Sequence, residues 1–225
     1  MSRYAIIGLG RFGSRLATNL AAAGQEVLAI DDHEAIVEKL RDKVTMAVVM
    51  DATDEDALRA LDVANVDAAV VGIGENFEAN ALITVMLKKM GVAKVVSRAH
   101  NPTTARILAG IGADEVVSPE DESADRWASR LVTPQFLSML ELGTEHAIVE
   151  VATPDKWAGK TLLELNLRAA MELHVVAIKR PLPSDQPGHW RVVMPRPQEP
   201  LLAQDTLVIM GRDADLARIP RDEAK

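Results

Sequence analysis

The sequence contains no cysteine in 225 residues. That excludes a disulfide framework, a thiolate metal centre and a cysteine nucleophile, and it fits a reducing compartment. Long hydrophobic runs are also missing. Apolar stretches such as Ala68–Ile73 fall far short of the roughly 20 residues that span a bilayer, so direct membrane insertion is not expected. The start, Met1-Ser2-Arg3-Tyr4, runs straight into strand-like residues and lacks the pattern of a signal peptide. Positive charge is not in excess: 25 Lys+Arg stand against 33 Asp+Glu, for a formal net charge of −8. Residues 1–140 hold 14 basic and 20 acidic side chains, and residues 141–225 hold 11 and 13. Neither part carries the basic balance that nucleic-acid binding needs. With 48% hydrophobic and 26% charged residues, the composition is that of a folded globular protein.

Residues 1–118 alternate short apolar runs with helical patterns. Tyr4–Ile7, Val27–Ile30, Met46–Met50, Ala68–Val71, Lys94–Ser97 and Glu115–Val117 are apolar with little alternation, as suits parallel strands covered on both faces. Helical segments fall between them at about 12–23, 33–43, 54–61, 76–90 and 101–110. Gly24, Gly91 and Gly112 stand where left-handed C-terminal caps prefer glycine. The expected class is α/β: a Rossmann-like doubly wound parallel sheet. Residues 121–140 read as one longer linker helix started by Ser118-Pro119-Glu120 and kinked or broken at Thr133-Pro134.

Residues 145–212 read as a small α+β unit. Expected strands are His146–Ala152, Val175–Lys179, Trp190–Met194 and Thr206–Gly211, with a short helix over Thr161–Ala169 and a polar turn over Pro181–Gly188. The charged residues 213–225 read as a frayed end. The domain limits follow as 1–120, a linker over 121–143, and 144–225.

The sharpest motif is Gly8-Leu9-Gly10-Arg11-Phe12-Gly13, between an expected strand and an expected helix. A lone GxGxxG is weak, but here the second strand also ends in acids, Asp31 and Asp32, at the distance of a dinucleotide fingerprint. Gly8 permits the tight turn, Gly10 lets the backbone approach a pyrophosphate, and Gly13 lets the helix pack on the strand. The helix N-terminus supplies free N–H groups and positive dipole to phosphates. Asp31 is the acceptor for ribose hydroxyls, and the Asp31–Asp32 pair disfavours a 2′-phosphate. Arg11 inside the loop reads either as a terminal-phosphate contact or as a surface arginine. Asp51-Ala52-Thr53 ends the third strand at the ligand edge, with Thr53 as a helix cap or an adenosine contact. Gly72-Ile73-Gly74 ends the fourth strand before Glu75-Asn76, and Arg98, ending the fifth, reads as a phosphate partner or as solvated charge. None of the five histidines has metal-ligand spacing, and there is no nucleophile elbow or Walker A pattern. An NAD-dependent oxidoreductase would need a proton donor for which no candidate emerges.

The glycine loop with Val27–Asp31 and Asp51-Ala52-Thr53, and Ile111-Gly112-Ala113-Asp114 followed by Ser118-Pro119-Glu120, resemble the RCK (TrkA-N/KTN) domains. Residues 145–212, notably Leu201–Gly211, resemble the small TrkA-C domain. The single-copy layout is similar to KtrA/TrkA-type regulatory subunits of bacterial potassium-uptake systems. That resemblance implies a cytoplasmic regulator docked on a membrane-embedded potassium transporter subunit, built of dimers that close into an octameric ring. It implies ATP/ADP or NAD(H) in the glycine-loop cleft, changing the shape of the ring. It assigns Arg11, Asp31, Asp51, Ala52, Thr53 and Arg98 there; together with the residue reading above, the expected cleft contacts are Gly8, Gly10, Arg11, Phe12, Gly13, Asp31, Asp32, Asp51, Ala52, Thr53, Ile73, Gly74, Asn76 and Arg98. It further implies a divalent or monovalent cation at Glu120, and cyclic di-AMP in the C-terminal unit near Asn166, Arg168 and His174. A nucleotide or redox sensor serving a non-potassium partner would show the same fold and site. Helix 76–90 and the 121–140 segment, with Trp127, Phe136 and Met139, carry apolar surface suited to meeting another subunit.

Overall fold

The computed structural model describes residues 1–182 and 189–220. The chain divides into two compact units, Met1–Ser123 and Ala124–Lys225. The first is a six-stranded parallel sheet formed by β1 (Arg3–Ile7), β2 (Glu26–Asp31), β3 (Met46–Val49), β4 (Ala68–Val71), β5 (Val95–Arg98) and β6 (Glu115–Val117). Its order is β3-β2-β1-β4-β5-β6, the doubly wound order whose direction reverses between the first and fourth strands. The connecting helices are α1 (Arg11–Ala22), α2 (Glu34–Glu38), α3 (Glu55–Ala60), α4 (Phe77–Lys89) and α5 (Pro102–Gly110).

The apolar runs have the burial expected of parallel strands. Every residue of β4 is buried, and Ala5, Ile6, Ile7, Val27, Ala29 and Ile30 are at most 1% exposed. One face of the sheet packs Ile6, Val27 and Ala29 against Ala17 of α1 and Val37 of α2. The other packs Ile7, Leu28 and Val71 against Leu58 of α3 and Ile83 and Leu87 of α4. Gly24, Gly91 and Gly112 all take positive φ behind α1, α4 and α5, in the left-handed conformation a C-terminal cap asks for. Asp54, not Thr53, caps α3, accepting from the N–H groups of Asp56 and Ala57.

The linker helix is shorter than its apolar stripe suggests. Helix α6 runs Pro119–Val132 and stops before Thr133-Pro134. Phe136–Glu141 is instead a strand, β7, antiparallel to β8 (His146–Ala152). A proline cannot continue the helical hydrogen-bond pattern. The register shift between Phe136 and Ser138 lets Phe136 and, partly, Met139 join the core of the second unit.

That unit is a five-stranded antiparallel sheet. Its other strands are β9 (His174–Pro181), β10 (Trp190–Val193) and β11 (Thr206–Arg212), in the order β10-β9-β11-β8-β7. The single helix expected over Thr161–Ala169 is two, α7 (Leu162–Leu165) and α8 (Leu167–Met171), separated by Asn166 at φ 43°. The chain after β11 is not frayed at once. Asp213–Leu216 forms α9, and Leu216 and Ile219 are buried in the core at 0% and 2% exposure. Residues 183–188 of the expected polar turn and residues 221–225 lie outside the described residues.

Candidate nucleotide site

The glycine loop leaves β1 where the sheet order reverses and feeds α1. Its position is fixed by backbone bonds: Gly8 N–H donates to Ile30 O at 2.9 Å, and Gly72 N–H donates to Ile7 O at 2.7 Å. The three fingerprint glycines are needed for different reasons. Gly8 takes φ +86°, which side chains with a Cβ rarely adopt. A Cβ on Gly13 would lie 2.0 Å from the Gly8 carbonyl oxygen, so only glycine lets α1 seat on the loop. A Cβ on Gly10 would meet nothing within 4 Å. The fold itself therefore gives no reason for glycine at position 10; a ligand lying against the backbone does.

The N-terminus of α1 carries the same message. No side chain caps it, and its first turn holds no acid. By contrast, α3, α4, α5 and α7 are capped by Asp54, Asn76, Asn101 and Thr161. Uncapped N–H groups at the end of a 12-residue helix are a ready site for an anion. Arg11, the first helical residue, is exposed and makes no ion pair among the described residues. Phe12 is half-buried and packs on the core face of α1.

Asp31 ends β2 with a side chain 9% exposed. Its Oδ2 accepts the Leu9 N–H at 2.6 Å, and its Oδ1 accepts the His33 N–H at 2.9 Å. The acid thus braces the glycine loop. Asp32 is exposed and contacts the His33 ring, Nδ1 lying 2.5 Å from its Oδ1. On the next strand end, Asp51 Oδ1 accepts from both the N–H and the hydroxyl of Thr53. Those two bonds hold the Asp51 carboxyl below its usual range, and they occupy the Thr53 hydroxyl. Ala52 is buried in the core beneath them.

On the far side of the reversal, Ile73 packs on the loop: a Cβ on Gly8 would come 2.7 Å from its Cγ1. A Cβ on Gly74 would come 2.7 Å from Arg98 Nη1, so the guanidinium lies across Gly74. Arg98 Nη2 donates to Glu120 Oε1 at 2.6 Å, while its Nε is buried with no partner among the described residues. Asn76 Oδ1 is spent on the Ala79 N–H as the cap of α4.

Sequence reasoning missed two residues here. Asn80 is 1% exposed, and its Nδ2 donates to Ile73 O at 2.7 Å and Arg98 O at 2.9 Å, tying the ends of β4 and β5 together. An amide near the start of a largely apolar helix was the available signal. His33 was read only as lacking metal spacing, yet it closes on both acids.

Other expected sites are less assembled. Glu120 meets the Arg98 cation, and among the described residues no further carboxylates or imidazoles gather there at ligand spacing. Asn166, Arg168 and His174 are all exposed. Asn166 ends α7 in a left-handed conformation, and no hydrogen bond or ion pair joins the three among the described residues.

Comparison with known proteins agrees with this geometry. The TrkA-N domain family matches residues 4–119, and the TrkA-C domain family matches residues 146–221. The Ktr system potassium uptake protein C of Bacillus subtilis (strain 168) is 38% identical over 218 residues, spanning 97% of this chain and 96% of that protein. The Ktr system potassium uptake protein A of the same organism is 33% identical over 221 residues, spanning 98% and 96%. A structure of the GsuK channel bound to NAD superposes with a TM-score of 0.60 at 20% identity, over 99% of this chain and 40% of that one, a likeness of fold. With both halves of the chain matched and relatives aligned from end to end, this protein belongs to the TrkA-N/TrkA-C family and is a relative of the Ktr potassium uptake proteins.

Proposed function

We propose that this chain is a nucleotide-responsive regulatory subunit of a potassium-uptake system, with no turnover of its own. Its ligand is an adenine nucleotide, ATP/ADP or NAD(H), held in the glycine-loop cleft. The observation that carries this reading is the pairing of an open Gly10 backbone with an uncapped α1 N-terminus. Both are unexplained by the fold and explained by a phosphate. In a chain of net charge −8, the positive groups near the loop matter: Arg11 for a terminal phosphate, and Arg98, whose Nε lacks a partner, for a bridging one. Two relatives bear the name of Ktr potassium uptake proteins, and one structural neighbour is a channel bound to NAD.

Among the described residues no helix is long and apolar enough to cross a membrane. Any action on a membrane transporter then runs through docking, on the cytoplasmic side, as a ring of copies. A cation at Glu120 requires ligands from another copy. Regulation requires that ATP and ADP bind two shapes of the assembly unequally, since a ligand with equal affinity for both shifts nothing. The oxidoreductase alternative finds no support in the histidines: all five are exposed, and none is enclosed beside the cleft as a proton donor.

The test is titration of the purified protein with ATP, ADP, NAD and NADH, with NADH turnover on small carbonyl compounds as the control. Arg11→Ala is expected to narrow the ATP-to-ADP affinity ratio by about tenfold, the worth of one charge-assisted hydrogen bond. Asp31→Ala is expected to weaken all four ligands alike. Unchanged discrimination in the Arg11 variant contradicts its role, and steady NADH turnover contradicts the non-enzymatic reading.

A further inference from the structure

We propose that His33 makes the ribose-accepting edge of the cleft pH-dependent, so that protons compete with adenine nucleotides for Asp31. This rests on the nucleotide reading above and adds a second signal at the same site.

The geometry is specific to this corner of the fold. His33 follows β2 and caps α2 without a side-chain cap bond of its own. Its ring is therefore not committed to the helix; it turns back onto the two acids. Nδ1 lies 3.2 Å from Asp31 Oδ1 and 2.5 Å from Asp32 Oδ1. Asp31 Oδ1 already accepts the His33 N–H, and Oδ2 accepts the Leu9 N–H. The imidazolium adds a second donor to Oδ1 and partly neutralises the charge of the ribose acid. A ribose hydroxyl must then displace the ring or share an oxygen with it.

The ring can move. Its side chain is 71% exposed, whereas Asp31 is 9% exposed and fixed by the loop. Deprotonation leaves either the Nδ1–H tautomer, which keeps a hydrogen bond but loses the charge attraction, or the Nε2–H tautomer, whose Nδ1 lone pair faces two carboxylates; both weaken the closed position. Protonation favours the closed position. The facing charges are Asp32 and Asp31, which hold the imidazole above its ordinary value, by hydrogen bonding and charge from Asp32 first and from Asp31 second; slight burial opposes them. Leu9 on the loop side contributes only backbone. Glu34 and Glu38 on α2, Arg11 on α1 and Asp51 beyond β3 make no ion pair with the ring, whose partners are Asp31 and Asp32.

The sign follows from linkage. A bound ribose removes a partner from His33, so its proton is held less tightly in the complex than in the free protein. Binding then expels a proton, and affinity falls as pH drops through the histidine range. Each unit by which the ligand lowers the His33 pKa sets a limiting loss of about tenfold.

The experiment is a titration of the full chain with ADP from about pH 8 to about pH 5.5, in the histidine range, for wild type, His33→Asn and His33→Lys. Asparagine cannot be protonated and is a favoured helix cap; lysine keeps a cation over the acids throughout. The expected result is a loss of about tenfold in wild type across the range, less than about twofold in His33→Asn, and weak, flat binding in His33→Lys. The same slope in wild type and His33→Asn overturns this proposal while leaving the nucleotide site intact. No ADP binding by wild type even at the alkaline end overturns the nucleotide reading on which it rests.

Discussion

Gly13→Ala is expected to abolish ADP binding and to destabilise the first unit by at least about 1–3 kcal/mol. The added Cβ would sit 2.0 Å from the Gly8 carbonyl oxygen and 3.1 Å from its carbon. Both partners are backbone, so no flexible side chain can yield. Helix α1 has to shift off the loop, and its uncapped N-terminus moves with it. Gly8 is held by its own bond to Ile30 and by positive φ, which leaves little room to accommodate the change. Gly10→Ala is the informative contrast. Its methyl enters open space, so stability should stay within about 0.5 kcal/mol of wild type while nucleotide binding falls. Chemical denaturation and ADP titration of both variants check this. Equal stability loss in the two, or undiminished binding in Gly13→Ala, contradicts the assigned roles.

The second large effect is expected far from the nucleotide site. Asp205 has a fully buried side chain. Arg180 donates Nε to its Oδ1 at 2.9 Å and Nη2 to its Oδ2 at 2.8 Å, and the Leu202 N–H donates to Oδ2 at 3.0 Å. Arg180 Nη1 reaches Glu199 at 2.8 Å, and the two acids hold the guanidinium proton more tightly than usual. Asp205→Ala leaves the largely buried Arg180 with Glu199 alone and the Leu202 N–H unpaired. Removing one partner of such a pair costs about 3–5 kcal/mol, a large share of the stability of a unit this size. A drop in the melting temperature of the second unit by more than about 15 °C is expected in calorimetry. A loss below about 1 kcal/mol would mean that the network is solvated and contributes little.

The two units were legible to different degrees, for physical reasons. The strands of the parallel sheet are covered on both faces, so each is a continuous apolar run, and β4 shows this from end to end. The edge strand β7 gave no such run. Phe136, Leu137, Met139 and Leu140 also fit a helical stripe, and only long-range pairing with β8, through a register shift, makes them a strand. The proline that breaks the helix was visible; the partner strand was not. The tail after β11 looked charged, yet Leu216, ending α9, and Ile219, in the turn after it, fill the core.

At the site, the glycine loop and Asp31 were readable because each position answers to backbone geometry. The capping reading of Thr53 was not: the helix cap falls one residue later on Asp54, and the Thr53 hydroxyl donates to Asp51. The Arg98–Glu120 pair joins residues 22 positions apart, a distance no local pattern reports. His33 sits beside its acids in the chain, but adjacency alone does not say that the ring folds back onto them rather than out to solvent.

The most direct test of the central claim is mass measurement of the purified chain under native conditions, with ATP and with ADP, combined with small-angle scattering of each form. An assembly of several copies with one nucleotide per chain is expected, with a different scattering profile for the two ligands. A monomer without bound nucleotide, or one profile for both ligands, would contradict it.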